Sequence, residues 1–573
     1  MKKRRAIVIA CIVFIGFSVL FTRLAIIQLW KTESFGLSNI NLLEASVAQR
    51  SEQITISDGR GTMVDRNNIP ISHPTAQDVV FFPFLKDIDF PSGEIASVLS
   101  IDEYSLQSYL QNAEQPFYIT DMIDQELTEE AFKRIQDMRY PGVYAVQRQL
   151  TDDPVSASHF IGLVREQASE QEIQKMGLSG IQKAFEPFLE PEGDEKLIYH
   201  VDGHGEPMFG LNVKYQGLQD AFYPVQLKTT IHMPFQEEAE AVMDEHQISK
   251  GAVIILDVQS RDVLTMVSRP AIDYTNPYKN IDDPHDDTLH NYALKATMPG
   301  SIFKTLITSA ALEHPTINVY RQYDCDIGIN GREASRELGM LSFEESFARS
   351  CNNTFVELAK EMMEKNPAIL DHYAAKLGLN ETVGWEGNLY HFQDFEQFPE
   401  EETNKMWASE EHKKDDNMIA HTAIGQQNVR WTPLSVVNMM ATIADDGIKK
   451  QVRGVSRILY QNGATMKVFE EQLDNDNRIS AYNALKLKEL LYQVTEHPQG
   501  TGKALKGLEV AGKSGTAEDD GASNDYHWFA GFFPYEQPRY AMVVLDLQST
   551  SQIPTYNVFR DMVEFIYAND QTF

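Results

Sequence analysis

Gly507-Leu508-Glu509-Val510-Ala511-Gly512-Lys513-Ser514-Gly515-Thr516 admits two readings, and they lead to different folds. Its first eight residues match G-x-x-x-x-G-K-[ST], the loop that cradles phosphate between a strand and a helix in nucleotide hydrolases. That loop requires a helix N-terminus facing the phosphate. Here the variable positions are Leu-Glu-Val-Ala, which suit a strand, and Ala517-Glu518-Asp519-Asp520-Gly521 follows as an acidic turn that repels a triphosphate. The stretch is therefore read as a strand that carries Lys-Ser-Gly-Thr.

Working outward, residues 527–533 and 540–547 read as two more strands around a turn at 534–538. A last helix over 555–567 has Val558, Met562, Phe565 and Ile566 at helical spacing. Upstream, 251–257 and 262–267 read as a hairpin, preceded by a strand-like 229–231 and a helix that Pro234 opens. Two strands before a long helical insert and three after it predict one five-stranded antiparallel sheet flanked by helices, an α+β architecture. Residues 31–225 are more irregular: strands at 52–56 and 62–66, a helix over 127–138, and Pro/Gly connectors at 190–193 and 202–207. Three regions are expected: 1–30, 31–225 and 226–573.

Within the third region, three short strings occur once each and in order: Ser301-Ile302-Phe303-Lys304, Ser350-Cys351-Asn352 and Lys513-Ser514-Gly515-Thr516. A lone S-x-x-K is a common chance match, usually a capping Ser with a solvated Lys. Three strings without competing copies supply the parts of an acyl-transfer site. A serine hydroxyl is a poor nucleophile without an adjacent base. If a helix begins near Ser301, Lys304 shares its face one turn on. Lys304 can accept a proton only if burial or a second cation such as Lys513 strips its charge. Ser350 and Asn352 fall where a helical stretch, 343–362, is expected to break at Asn352-Asn353-Thr354, as a proton relay and an amide that orients substrate. Gly515 leaves room for a close backbone approach.

The 573 residues carry a net charge of −33, which argues against a nucleic-acid partner. Cys11, Cys325 and Cys351 are too few and scattered for a disulfide framework, and no disulfide is expected. No residues have metal-ligand spacing, the run Asp282 to Asp287 reading as a solvated turn; neither metal nor cofactor is expected. Lys2-Lys3-Arg4-Arg5 precedes an uncharged apolar run, 6–21, which 24–30 prolongs to Trp30. No small-residue cleavage site follows it. The reading is a retained single-pass membrane anchor with a cytoplasmic N-terminus and a large domain outside.

The three strings are close to the set that penicillin-binding proteins and β-lactamases use. The chain resembles class B penicillin-binding proteins, the membrane-anchored peptidoglycan D,D-transpeptidases. Arg60-Gly61-Thr62-Met63-Val64-Asp65-Arg66-Asn67 is similar to that family's R-G-x-I-x-D-R-N, and Gly177-Leu178-Ser179-Gly180-Ile181-Gln182 to its G-x-x-G-I-E, with Gln in place of Glu. Pro299 to Lys304 resembles P-G-S-T-F-K; Ala423-Ile424-Gly425-Gln426, Thr432-Pro433-Leu434 and Trp528-Phe529-Ala530-Gly531 also fall where the family has comparable pieces. A polar insert over 380–416 reads as a loop. The resemblance implies that Ser301 is acylated by D-Ala-D-Ala stem peptides and β-lactams, with Lys304 as base and Ser350 as relay. It implies that Asn352 holds the substrate amide, that Lys513 and Ser514 engage the terminal carboxylate or relay, and that the N–H groups of Ser301 and Thr516 form an oxyanion hole. It makes 31–225 a non-catalytic pedestal and a membrane glycosyltransferase an expected partner. The rivals are a hydrolase that releases the acyl group to water, as a D,D-carboxypeptidase or β-lactamase, and a cell-wall scaffold with a dispensable site.

Overall fold

The computed structural model describes residues 2–32, 51–72, 75–123, 127–150, 156–168, 173–190, 193–201, 213–217, 222–279, 283, 287–329, 331–474, 477–518 and 525–570. The expected connector at 202–207, most of the acidic run 282–287 and part of the connector at 190–193 lie outside these residues. The chain opens with α1 (Lys2–Ala25), and the helical path continues as a wider turn through Trp30. Residues Ile7–Leu29 form a helix long and apolar enough to cross a membrane, with Phe14 and Phe21 about three-quarters exposed.

Two compact units follow from how the chain contacts itself. The first comprises Met1–Gly59, Thr75–Leu150 and Glu192–Asp220. Its two antiparallel three-stranded sheets are centred on Glu195–His200, between Ser51–Ser57 and Lys214–Gln216, and on Thr75–Phe81, between Phe117–Tyr118 and Val143–Gln149. Helices Ser92–Leu99, Glu103–Asn112 and Glu129–Met138 help bury Val79, Phe81, Leu85, Ile95, Leu106 and Tyr199. Asp102 and Thr128 cap the second and third of these, accepting from Ser105 N at 2.8 Å and Ala131 N at 3.2 Å.

The second unit comprises Arg60–Pro74, Thr151–Pro191 and Ala221–Phe573. At its centre are β1 (Gly251–Asp257), β2 (Val263–Arg269), β3 (Ala511–Glu518), β4 (Asp525–Phe533) and β5 (Tyr540–Asp546). They form the expected five-stranded antiparallel sheet, in the order β2-β1-β5-β4-β3. Alternation along each strand divides the side chains between two faces. Val253, Ile255, Phe529, Val544 and Met542 pack with α2 (Met233–Glu245) and α8 (Ile553–Asn569). Ile254, Ala530, Val543 and Leu545 face the opposite way, into the core of α3 (Lys304–Glu313), α6 (Pro433–Ala444) and α7 (Ala481–Glu496). Burial on both faces explains why these strands read as unbroken apolar runs.

A second sheet ties the early motifs to this unit. Thr62–Val64 runs parallel to Gln226–Thr229, flanked by Pro70–Ser72 and by Val455–Leu459. Arg60 is fully buried and donates to Gln182 Oε1 at 2.8 and 3.0 Å, and to Glu186 Oε2 at 2.6 Å. Gln182, which stands where the resemblance leads one to expect Glu, is neutral, so Glu186 supplies the anion for this guanidinium. The stretch over 380–416 is not wholly a loop: Glu386–Leu389 and Phe392–Glu396 pair as a hairpin. β3 begins at Ala511, not at 507, because Gly507 and Glu509 both take positive φ and form a turn.

Candidate active site

The Ser301 turn is built by close packing. Pro299 leads into Gly300, at φ +54°, and a 3-10 turn over Gly300–Phe303 passes directly into α3 at Lys304. In a 3-10 turn residues i and i+3 eclipse, so Lys304 is delivered to the Ser301 side, although the α-helix starts three residues later than expected. Gly300 N donates to Gly425 O at 3.0 Å, Trp528 Nε1 donates to Met298 O at 2.9 Å, and Phe303 stacks on Trp431 at 5.0 Å. β3 lies against this turn. A Cβ at Gly515 would fall 2.4 Å from Pro299 O, and one at Gly300 would fall 2.3 Å from Thr516 O. Only glycine at both positions permits this approach.

The helical stretch expected over 343–362 breaks at 349–351, earlier than Asn352-Asn353-Thr354. α4 (Phe343–Ala348) ends, Ser350 takes a left-handed backbone at φ +57°, and α5 (Asn352–Lys365) starts on Asn352. The break places Ser350 Oγ between two amines, 3.0 Å from Lys304 Nζ and 3.1 Å from Lys513 Nζ. Lys304 Nζ also donates to Ser350 O at 3.0 Å and to Asn352 Oδ1 at 2.7 Å. Lys513 Nζ also donates to Ser514 O at 3.1 Å. Among the described residues no hydrogen bond joins Lys304 Nζ to Ser301 Oγ. Both lysines are fully buried. Burial, reinforced by Lys513 and Arg336, pushes Lys304 well below the usual lysine range. Burial, with Arg336, brings Lys513 down to about 7.

Cys325 and Cys351 form a disulfide with Cα atoms 5.8 Å apart, which corrects the expectation of none. Twenty-six residues separate them, but Tyr323–Asp324 pairs with Met340–Leu341 and turns the chain back beside α5. Both cysteines are buried at the turn that carries Ser350. The bridge depends on a tertiary return that spacing alone does not reveal.

The structure therefore links Lys304, Ser350, Asn352 and Lys513 by hydrogen bonds and sets Gly515 and Thr516 against the Ser301 turn. Ser514 Oγ donates to Thr501 Oγ1 at 2.8 Å; Thr501 N donates to Ala348 O at 3.0 Å, and Tyr556 OH to Thr501 O at 2.7 Å. Thr501 belongs to none of the three strings. Its signal was a lone hydroxyl between Gly500 and Gly502, just before β3. Thr516 is exposed, with Oγ1 donating to Gln552 Oε1 at 3.3 Å. Gln552 had no motif to announce it.

A paired-lysine, serine and asparagine cluster beside a Lys-Ser-Gly edge strand is the combination of strings that penicillin-binding proteins and β-lactamases carry. The penicillin binding protein transpeptidase domain profile matches residues 251–564, and this chain belongs to that family. Peptidoglycan D,D-transpeptidase PbpA of Mycolicibacterium smegmatis is 26% identical over 321 residues, covering 52% of this chain and 61% of that protein. The match thus spans under two thirds of that relative's length. Stage V sporulation protein D of Bacillus subtilis is 23% identical over 574 residues, covering 95% of this chain and 81% of its own. A solved structure described as "Structural coordination of polymerization and crosslinking by a peptidoglycan synthase complex" superposes with a TM-score of 0.65 over 99% of both chains, at 20% identity. At that identity the likeness is one of fold.

Proposed function

We propose that the protein is a class B penicillin-binding protein: a membrane-anchored serine D,D-transpeptidase that cross-links peptidoglycan stem peptides and is acylated by β-lactams. The observation that carries this reading is Ser350 Oγ held between two buried amines, 3.0 and 3.1 Å away, both shifted towards the uncharged form. A neutral Lys304 has two N–H donors and one lone pair. It can donate to Ser350 O and Asn352 Oδ1 and accept from a hydroxyl.

Ser301 Oγ attacks the carbonyl between the two terminal D-Ala residues as Lys304 takes its proton. The oxyanion accepts from the N–H groups of Ser301 and Thr516, which the Gly300–Gly515 approach draws together. Ser350, bonded to both lysines, passes a proton to the departing D-Ala amine as the C–N bond breaks. Asn352 holds the substrate amide, and Lys513 with Ser514 and Thr516 receives the terminal carboxylate. An amine from a neighbouring stem then attacks the Ser301 ester, and the hydroxyl recovers its proton.

α1 is the anchor, with its basic N-terminus in the cytoplasm and the remainder outside. Region 226–573 carries the reaction; 31–225, apart from Arg60–Pro74 and Thr151–Pro191, which belong to the second unit, serves as a pedestal; and a membrane glycosyltransferase supplies the glycan strands. Mass spectrometry after benzylpenicillin treatment is expected to place one adduct on Ser301, and Ser301→Ala to abolish it. Incubation with D-Ala-D-Ala stem peptide and an amine acceptor is expected to give the joined product. Release of only the shortened peptide would make the protein a hydrolase, and an unlabelled Ser301 would leave a scaffold.

A further inference from the structure

Four basic side chains lie around Ser350: Lys304, Lys513, Arg336 and Arg349. Among the described residues none of the four is ion-paired to a carboxylate within 4.0 Å, in a chain whose net charge is −33. Arg336 belongs to no motif. It lies in the connection between Tyr323–Asp324 and Met340–Leu341, which is fastened at its base in several ways. Cys325 N donates to Gly339 O at 3.0 Å, Asp326 Oδ1 accepts from Leu338 N at 2.7 Å and Gly339 N at 2.8 Å, and Cys325 is bonded to Cys351. From this platform Arg336 Nη2 donates to Ser350 O at 2.9 Å and Nη1 to Arg349 O at 3.4 Å. Arg349 Nη1 donates back to Leu338 O at 3.3 Å. The Ser350 carbonyl thus accepts from a guanidinium and from Lys304 Nζ together.

A non-glycine residue in the left-handed region needs outside support. We propose that Arg336 is a positioning residue of the acyl-transfer site: it clamps the Ser350 carbonyl so that the hydroxyl stays between the two lysines, and sets a permanent positive charge beside them. The inference rests on the acyl-transfer reading above. The guanidinium does not lose its proton at any working pH. The charged groups acting on Lys304 are Lys513 from β3 and Arg336; on Lys513, Arg336; and on Arg336, Arg349. Arg349 itself faces Glu345 on α4. In each lysine the arginine opposes the ammonium form, so its loss favours protonation of the would-be bases.

The test is the acylation rate of full-length protein by a fluorescent penicillin, from pH 6 to pH 10, in wild type, Arg336→Gln and Arg336→Lys, with thermal unfolding followed in parallel. Arg336→Gln keeps an amide donor and removes the charge. Its rate is expected to fall about tenfold at pH 7 and to recover by pH 9, because the limb on which a lysine deprotonates moves up by roughly one unit. Arg336→Lys keeps the charge and loses the fork; its limb is expected to stay in place while the plateau falls severalfold at every pH. A Gln profile that superposes on wild type, or one lowered uniformly with its limb unmoved, overturns the inference and leaves the acyl-transfer reading intact. A wild-type protein that is not acylated sinks both.

Discussion

The second unit buries cations in two ways. Around Arg60 and Arg261, each guanidinium meets a carboxylate: Arg60 Nη2 with Glu186 at 2.6 Å, and Arg261 Nη2 with Asp445 at 3.3 Å. Arg261 also donates to Ala441 O and Ile448 O, and burial lowers it only to about 10, so it stays charged at neutral pH. Around Ser350, Lys304 and Lys513 are as deeply buried and, among the described residues, donate only to hydroxyl, amide and carbonyl oxygens. The first arrangement keeps a charge and spends it on holding segments together. The second makes the charge costly, so an amine gives up its proton and gains a lone pair that can do chemistry. The same burial yields a rivet in one place and, on the proposed reading, a base in the other, according to whether an acid is present.

Removing a lysine from the unpaired cluster should therefore affect reaction and leave folding. Lys304→Ala is expected to lower the rate of penicillin acylation about a thousandfold with little change in thermal unfolding. A variant that is acylated at the parental rate would break the comparison at its first point. The paired cluster should respond in the opposite way. Arg60→Met strands Glu186 and is expected to cost about 3 kcal/mol in chemical denaturation, while the protein that remains folded is acylated normally. Loss of acylation without loss of stability would mean that Arg60 is no rivet.

Glu401 supplies a third case, a buried acid with no cation within 4.0 Å among the described residues. Its carboxylate accepts from Gly384 N at 2.9 Å, from Val383 N at 3.1 Å and from Ser435 Oγ at 3.4 Å, and burial pushes it up to about 7. From the ordinary value of 4.5 up to about 7, the folded state keeps a proton that the unfolded state has released. The associated stability is complete below 4.5 and is lost as pH rises through 7. Glu401→Gln is expected to remove this slope and to gain about 2 kcal/mol at pH 8, measured by urea denaturation at pH 5 and pH 8. A slope that persists in the variant would assign it to another group.

Much of the sheet was legible because β1, β4 and β5 are apolar on both faces, and such runs announce strands whatever surrounds them. The Ser301, Lys304, Ser350, Asn352 and Lys513 set was legible as three ordered strings. What escaped depended on the chain returning to itself. Cys325 and Cys351 meet only because a short strand pair reverses the connection between them. Arg336, Thr501 and Gln552 reach the site from connecting segments whose local chemistry is that of ordinary turns. The break at Ser350 was displaced because polar residues mark a junction without saying which one takes positive φ. Gly507 and Glu509 likewise delayed β3, since an apolar pattern does not separate a strand from the turn that leads into it.

Gly300 and Gly515 leave no clearance between the Ser301 turn and the outermost strand. Side-chain rotation alone cannot widen that seam, because the nearest atoms across it, Pro299 O and Thr516 O, are main chain. A ligand too thick for it has to lift β3 from β4, against eight paired residues from Ala511 to Glu518. On the proposed reading, how far this sheet margin yields bears on how bulky an acylating molecule the site can take.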